Sequence, residues 1–229
     1  MEQFNFDRAP AIINPSESHM ALLFLVDTSS SMEGKPIDEL NKGLNRFKEQ
    51  VCKDEQTRNI LDVAIVEFNS EWRVVQDWRP IEHMDSVNLI ADGATYMMDA
   101  LEHSIDMVNE RSRFYKRSGA VPYKPWIVMI SDGAPFDDID EMAKKINEMA
   151  EKEKLAFWSL AVSGADFDVL HKLSGRRVIK LADYNFEKFF DWMNKSMRAV
   201  SVSTPGDKKP QGQTLPDNCT LHEIPADLM

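Results

Sequence analysis

The chain has 229 residues, 43% apolar and 28% charged, a globular composition that excludes wholesale disorder. Its 27 basic and 38 acidic side chains leave a net charge of −11, a poor match for nucleic acid or an anionic membrane surface.

Residues 1–19 contain Pro10 and Pro15 and no sustained period, and read as an N-terminal extension. Met20–Val26 is a short continuous apolar run, the pattern of a strand buried on both faces. Pro36 suits the first turn of a helix, and Ile37, Leu40, Leu44, Phe47 and Val51 follow as its apolar stripe. Leu61–Phe68 and Trp72–Trp78 flank the turn Asn69-Ser70 and predict a hairpin. Met98, Leu101, Ile105 and Val108 mark a second long helix. Trp126–Ile130 predicts another buried strand, ended by Ser131-Asp132-Gly133. Ile139, Met142, Ile146 and Met149 mark a third helix. Phe157–Val162 predicts a strand, Asp166–Leu173 a short helix, Arg177–Leu181 a last strand, and Phe186, Phe189, Phe190, Met193 and Met197 a final helical face.

Strands alternating with amphipathic helices predict an α/β fold: a doubly wound, mostly parallel central sheet with one antiparallel edge strand and helices on both faces. The domain occupies residues 20–200. From Ser201 the period stops and prolines recur, so 201–229 reads as a flexible Pro-rich tail, with docking through Leu215, Leu221, Ile224 and Leu228 as the alternative. The tail carries a net −2, so −9 belongs to the rest of the chain.

Cys52 and Cys219 form no disulfide framework or metal pair, and the five histidines show no metal-ligand spacing. No apolar run approaches the roughly 20 residues of a membrane span, and the N-terminus lacks the pattern of a secretory signal. The expectation is a cytoplasmic protein in a reducing compartment.

The chemistry-bearing residues follow the strands. Asp27-Thr28-Ser29-Ser30-Ser31 stands at the carboxyl end of the first strand, where an open parallel sheet places ligands. The Asp-x-Ser-x-Ser pattern alone carries little weight. Gly93-Ala94-Thr95 precedes the second long helix, and Asp132 ends the Trp126–Ile130 strand, both at the same predicted end of the sheet. Asp27, Ser29, Ser31, Thr95 and Asp132 offer oxygen only, the donor type of hard cations such as Mg²⁺, with Mn²⁺ or Ca²⁺ also admissible. With at most two carboxylates against a divalent ion, the metal would stay electrophilic and favour an incoming Asp or Glu.

In this order and strand–loop context, Asp27-x-Ser29-x-Ser31, Thr95 and Asp132 resemble the von Willebrand factor A domain with a metal-ion-dependent adhesion site, over about residues 20–200. The resemblance implies that Asp27, Ser29 and Ser31 form the first metal-ligating loop, and that Thr95 and Asp132 bind the metal directly or through water. Ala94 stands where the family commonly has a second glycine, a departure that removes no ligand. The stretch from Val26 to Ile37, with Leu40-Asn41-x-Gly43-Leu44 after it, is further similar to bacterial cytosolic proteins of the TerY type, which implies a scaffold in a stress or tellurium-resistance system.

The expected function is therefore metal-dependent protein binding without catalysis. The partner supplies an Asp or Glu to the metal and presents a basic surface, and Met32, Tyr96 and Phe136 are candidates for the contact rim. Nucleic acid and membrane are not expected partners. A metal-dependent hydrolase or phosphoryl-transfer enzyme is the alternative, but the sequence has no Gly-x-x-x-x-Gly-Lys-Ser/Thr loop, no Gly-x-Ser-x-Gly elbow and no histidine placed as a base. A scaffold that acts through its tail, with a silent metal site, is the other.

Overall fold

The computed structural model describes residues 17–132, 135–162, 164–174, 178–182, 184–202, 215–217 and 219–222. The chain begins with β1 (Met20–Asp27), a 3-10 turn at Ser30–Met32, α1 (Lys35–Val51) and α2 (Glu55–Ile60). The hairpin β2 (Leu61–Phe68) and β3 (Trp72–Pro80) follows, then α3 (Met98–Arg117), β4 (Trp126–Ser131), α4 (Asp140–Glu151) and β5 (Ala156–Ala161). The remaining elements are α5 (Phe167–Ser174), β6 (Val178–Leu181), α6 (Phe186–Ser201) and β7 (Cys219–His222). No helix among the described residues is long and apolar enough to cross a membrane.

The seven strands lie in the order β3-β2-β1-β4-β5-β6-β7. β1 pairs in parallel with β2 on one side and β4 on the other. The winding direction therefore reverses at β1, and the crevice between the carboxyl ends of β1 and β4 is where such a sheet binds ligands. β3 is antiparallel to β2, as the hairpin predicts, and the pairing shifts register around Ile65.

β1 is apolar from Met20 to Val26 because both its faces are covered. Met20, Leu22, Phe24 and Val26 pack with Leu40, Leu44 and Phe47 of α1 and Phe189, Phe190 and Met193 of α6. Ala21, Leu23 and Leu25 point the other way, toward Leu101 and Ile105 of α3, Ile146 of α4 and Leu170 of α5. This two-residue alternation places each half of one short run in a different core.

Gly43 lets α1 and α6 approach closely. A Cβ there would lie 2.6 Å from Phe190 Cε2 and 2.9 Å from Phe186 Cβ. At the amino end of β2, opposite the carboxyl end of β1, Asp62 Oδ2 accepts hydrogen bonds from Arg111 Nη2 at 2.7 Å and the Tyr115 hydroxyl at 2.5 Å. All three are buried. Burial pushes the Tyr115 pKa well above its ordinary value, and the Asp62 charge adds to the rise.

The tail adds a strand that was not predicted: Cys219–His222 pairs antiparallel with β6, Cys219 opposite Leu181 and His222 opposite Val178. The sheet thus has two antiparallel edges, where one was predicted. β6 offers a row of backbone groups that need partners, and four residues suffice to satisfy them. Cys219 is buried and Leu215 packs against the α1–α6 core. Residues 1–16 and the tail positions Ile224 and Leu228 lie outside the described residues.

Candidate functional site

Asp27 is the last residue of β1 and is fully buried. Ser29 N–H donates to Asp27 Oδ1 at 2.9 Å, a local turn that brings the chain across the end of the strand. The Ser29 and Ser31 hydroxyl oxygens are then 2.9 Å apart. From β4, Ser131 Oγ donates to Asp27 Oδ2 at 2.6 Å. Each carboxylate oxygen thus takes one hydrogen bond and keeps lone-pair capacity. Burial raises the Asp27 pKa above its ordinary value. The hydrogen bonds from Ser131 and Ser29 oppose the rise, and the nearby Asp132 charge adds to it.

The Thr95 loop is tied to the same place by backbone bonds. Asp92 N donates to Thr28 O at 2.8 Å, and Ser30 N donates to Gly93 O at 3.0 Å. Tyr96 N donates to Asn69 O, and Phe136 N to Thr95 O, both at 2.9 Å. Thr95 itself is buried. Gly93 has a φ of +77°, and a Cβ there would meet Ser70 Oγ at 2.5 Å. Both the left-handed backbone and the close approach require glycine.

Asp132 follows β4 directly and is half-buried. Among the described residues its Oδ1 is shielded from solvent and has no hydrogen-bond partner, and neither Asp27 nor Asp132 forms an ion pair there. The structure therefore gathers two carboxylates with no basic side chain between them. Among the described residues no three His, Cys, Asp or Glu side chains group as metal ligands. Any cation here would rest on Asp27, Asp132 and the hydroxyls of Ser29, Ser31 and Thr95. Their all-oxygen chemistry, and the orphaned Asp132 Oδ1, fit a hard divalent ion.

Two of the three expected rim residues are on the surface. Tyr96 is 48% and Phe136 73% exposed, with ring centroids 5.8 Å apart. Met32 is not on the rim. The 3-10 turn at Ser30–Met32 directs it inward, and it is fully buried in the α1–α6 core. Glu33, Asp92, Asp138, Asp166 and Asp168 are exposed at this end of the sheet, so the surface around the site is acidic.

Two residues escape sequence reasoning. Ser131 lies inside a run of interest, yet its hydrogen bond to Asp27 spans 104 positions and has no local signature. Asp137 accepts from the Met97 and Met98 amides at 3.1 and 2.6 Å and so caps α3, which has no capping side chain of its own. Gly133 lies outside the described residues.

Comparison with solved structures gives the same architecture. The pilus adhesin SpaC of Lactobacillus rhamnosus GG, in its open conformation, matches with a TM-score of 0.65 and 12% identity over 80% of this chain and 30% of that one. A von Willebrand factor type A protein from Catenulispora acidiphila matches with a TM-score of 0.61 and 14% identity over 80% and 43%. The manganese-loaded TRAP protein of Plasmodium vivax matches with a TM-score of 0.54 and 16% identity over 76% and 73%. The chain thus spans less than half the length of the first two. No curated protein matches its sequence. The von Willebrand factor type A domain family matches residues 21–192, three-quarters of the chain, and the chain belongs to that family.

Proposed function

We propose that this chain is a non-catalytic, metal-dependent protein-binding module. Asp27, Ser29, Ser31, Thr95 and Asp132 form a metal-ion-dependent adhesion site for Mg²⁺, with Mn²⁺ and Ca²⁺ as substitutes. Domains of this family commonly bind divalent metal and protein partners. The observation that carries the reading is the buried, unpartnered Oδ1 of Asp132 beside the buried Asp27 carboxylate. Two like charges held without a counter-charge are costly unless a cation joins them. The bound ion would supply an electrophilic position for a carboxylate from a partner.

The chain's own residues do the rest. Ser131 and the Ser29 amide orient Asp27, and Gly93 admits the Thr95 loop against Ser70. Tyr96 and Phe136 offer apolar contact beside the site. The surrounding carboxylates favour a partner with a basic surface around its single metal-ligating Asp or Glu. The TerY-like stretch supports a scaffold role in a bacterial stress or tellurium-resistance system in the cytoplasm. No histidine stands in the loops that carry these five residues.

The test is thermal unfolding of wild type and Asp27→Ala during titration with Mg²⁺, Mn²⁺ and Ca²⁺. A cation at 100 times its Kd stabilises by about 2.7 kcal/mol, a shift of roughly 5–10 °C for a chain this size. The expected result is a shift in wild type alone. If no cation shifts wild type, the metal reading is wrong.

A further inference from the structure

The segment between β3 and α3 has a backbone arrangement that its own elements do not explain. Over 87–90 it alternates buried Val87 and Leu89 with exposed Asn88 and Ile90, the period of a strand. No strand among the described residues pairs with it. Its backbone groups are satisfied instead by two side chains of α1. Leu89 N donates to Asn41 Oδ1 at 2.7 Å, and Asn41 Nδ2 donates back to Leu89 O at 2.9 Å. One helical turn later, Val87 N donates to Asn45 Oδ1 at 2.8 Å, and Asn45 Nδ2 donates to Val87 O at 2.9 Å. Asn45 Nδ2 also donates to Asn41 O at 2.8 Å, which joins the two pairs. Lys48 Nζ, nearly one turn further, donates to Met84 O.

The spacings match. Residues four apart share one helix face, and residues two apart share one face of an extended segment. A primary amide offers one acceptor and two donors, so each asparagine meets both the N–H and the C=O of one residue. Aspartate, serine or lysine cannot do so in the same way.

We infer that Asn41 and Asn45 are positioning residues: their side-chain ladder fixes the 84–92 segment and thereby sets the place of Thr95 against Asp27. The mechanical path is short. Three residues beyond Leu89, Asp92 N bonds Thr28 O, and Gly93 O accepts from Ser30 N. α1 begins four residues after Ser31, so the Asp27–Ser31 loop and the Thr95 loop are joined both directly and through α1. Without the ladder, the Thr95 loop keeps its direct bonds to Thr28, Ser30, Asn69, Ser70 and Phe136 but loses the hold on the 84–89 segment that leads into it. The consequence for metal binding rests on the proposed adhesion site; the ladder's hold on the loop does not.

The experiment has two arms, on wild type, Asn41→Ala, Asn45→Ala and the double variant. The first is amide hydrogen exchange in the absence of metal. Exchange in 89–97 is expected to rise at least about 10-fold in the double variant, while β4 and α6 keep wild-type protection. The second is Mn²⁺ affinity by calorimetry, with the paramagnetic resonance line of bound Mn²⁺ as a signature of site geometry. The expected loss is about 10–100-fold, the size seen when residues that orient ligands are removed. Unchanged exchange in 89–97 overturns the inference, as does an equal rise throughout the chain, which would make the asparagines general stabilisers. A local rise with wild-type Mn²⁺ affinity and line shape also overturns the positioning role. Failure of wild type to bind Mn²⁺ removes the adhesion site instead and leaves the exchange arm to decide the ladder.

Discussion

Burial of Asp27 without a cation acts against folding at neutral pH. Its folded pKa is raised, chiefly by desolvation, above the ordinary 3.8. The folded state therefore holds the Asp27 proton to higher pH than the unfolded state does. This group's contribution to stability is fully present below 3.8 and is lost as pH rises through the folded pKa. Asp27→Asn keeps an acceptor for the Ser29 amide and removes the charge. It is expected to stabilise the metal-free protein at pH 7 by on the order of 1 kcal/mol, with the gain shrinking toward pH 4, and to abolish stabilisation by Mg²⁺. Calorimetric unfolding at the two pH values decides it: an Asn variant less stable than wild type at pH 7, without metal, contradicts the account. At this scale the five candidate ligands were legible because each sits beside a strand end or helix start that its neighbours announce. Ser131, Asp137, Asn41 and Asn45 were not, because each acts on a partner far along the chain. Met32 shows the converse: adjacency to the motif says little when a tight turn reverses the direction of the side chain.

The helix pair α1–α6 depends on a residue with no side chain. Gly43→Ala should gain about 1 kcal/mol of helix propensity and lose about 1–3 kcal/mol to overpacking. The contact with Phe186 Cβ decides the sign, because that atom is fixed to the α6 backbone and cannot swing away as a ring edge can. A net loss of about 1 kcal/mol is expected in urea unfolding. Equal or greater stability would mean that α6 slides outward freely. Elements of this length, with a repeated apolar stripe, were readable from sequence, as were the strands buried on both faces. α2 has six residues and shows too little period to register. β7 has four, and its strand character comes from the open edge of β6 rather than from its own composition. The extended segment under α1 has no strand partner among the described residues, and its bonds to Asn41 and Asn45 span more than 40 positions and leave no local signature.

Across the whole molecule, β7 closes an edge that the family's matched region, ending at 192, leaves open. Removal of residues 215–229 is expected to lower stability by roughly 2 kcal/mol, the net value of a few backbone hydrogen bonds, and to cause association through the exposed β6 edge. Thermal unfolding and sedimentation of the truncated chain read both effects, and a monomer as stable as the full chain would show that β7 is dispensable. The strand order also sets a sequence of events during synthesis. β1 is the first strand made, yet it lies between β2 and β4. Its pairing with β2 closes a span of about 40 residues, while the Asp27–Ser131 contact spans 104, a difference in closure entropy of about 0.8 kcal/mol in favour of the nearer partner. At roughly 5–20 residues per second, the Asp27 loop and the Thr95 loop emerge from the ribosome together for several seconds before Asp132 does. Until β4 follows, the one carboxylate and three hydroxyls of the proposed site are already synthesised while one flank of β1 has no partner strand. In the proposed site the second carboxylate arrives only with β4, the strand that covers the remaining flank of β1, so a cation bound there would gain its full ligand set only once β1 is paired on both sides.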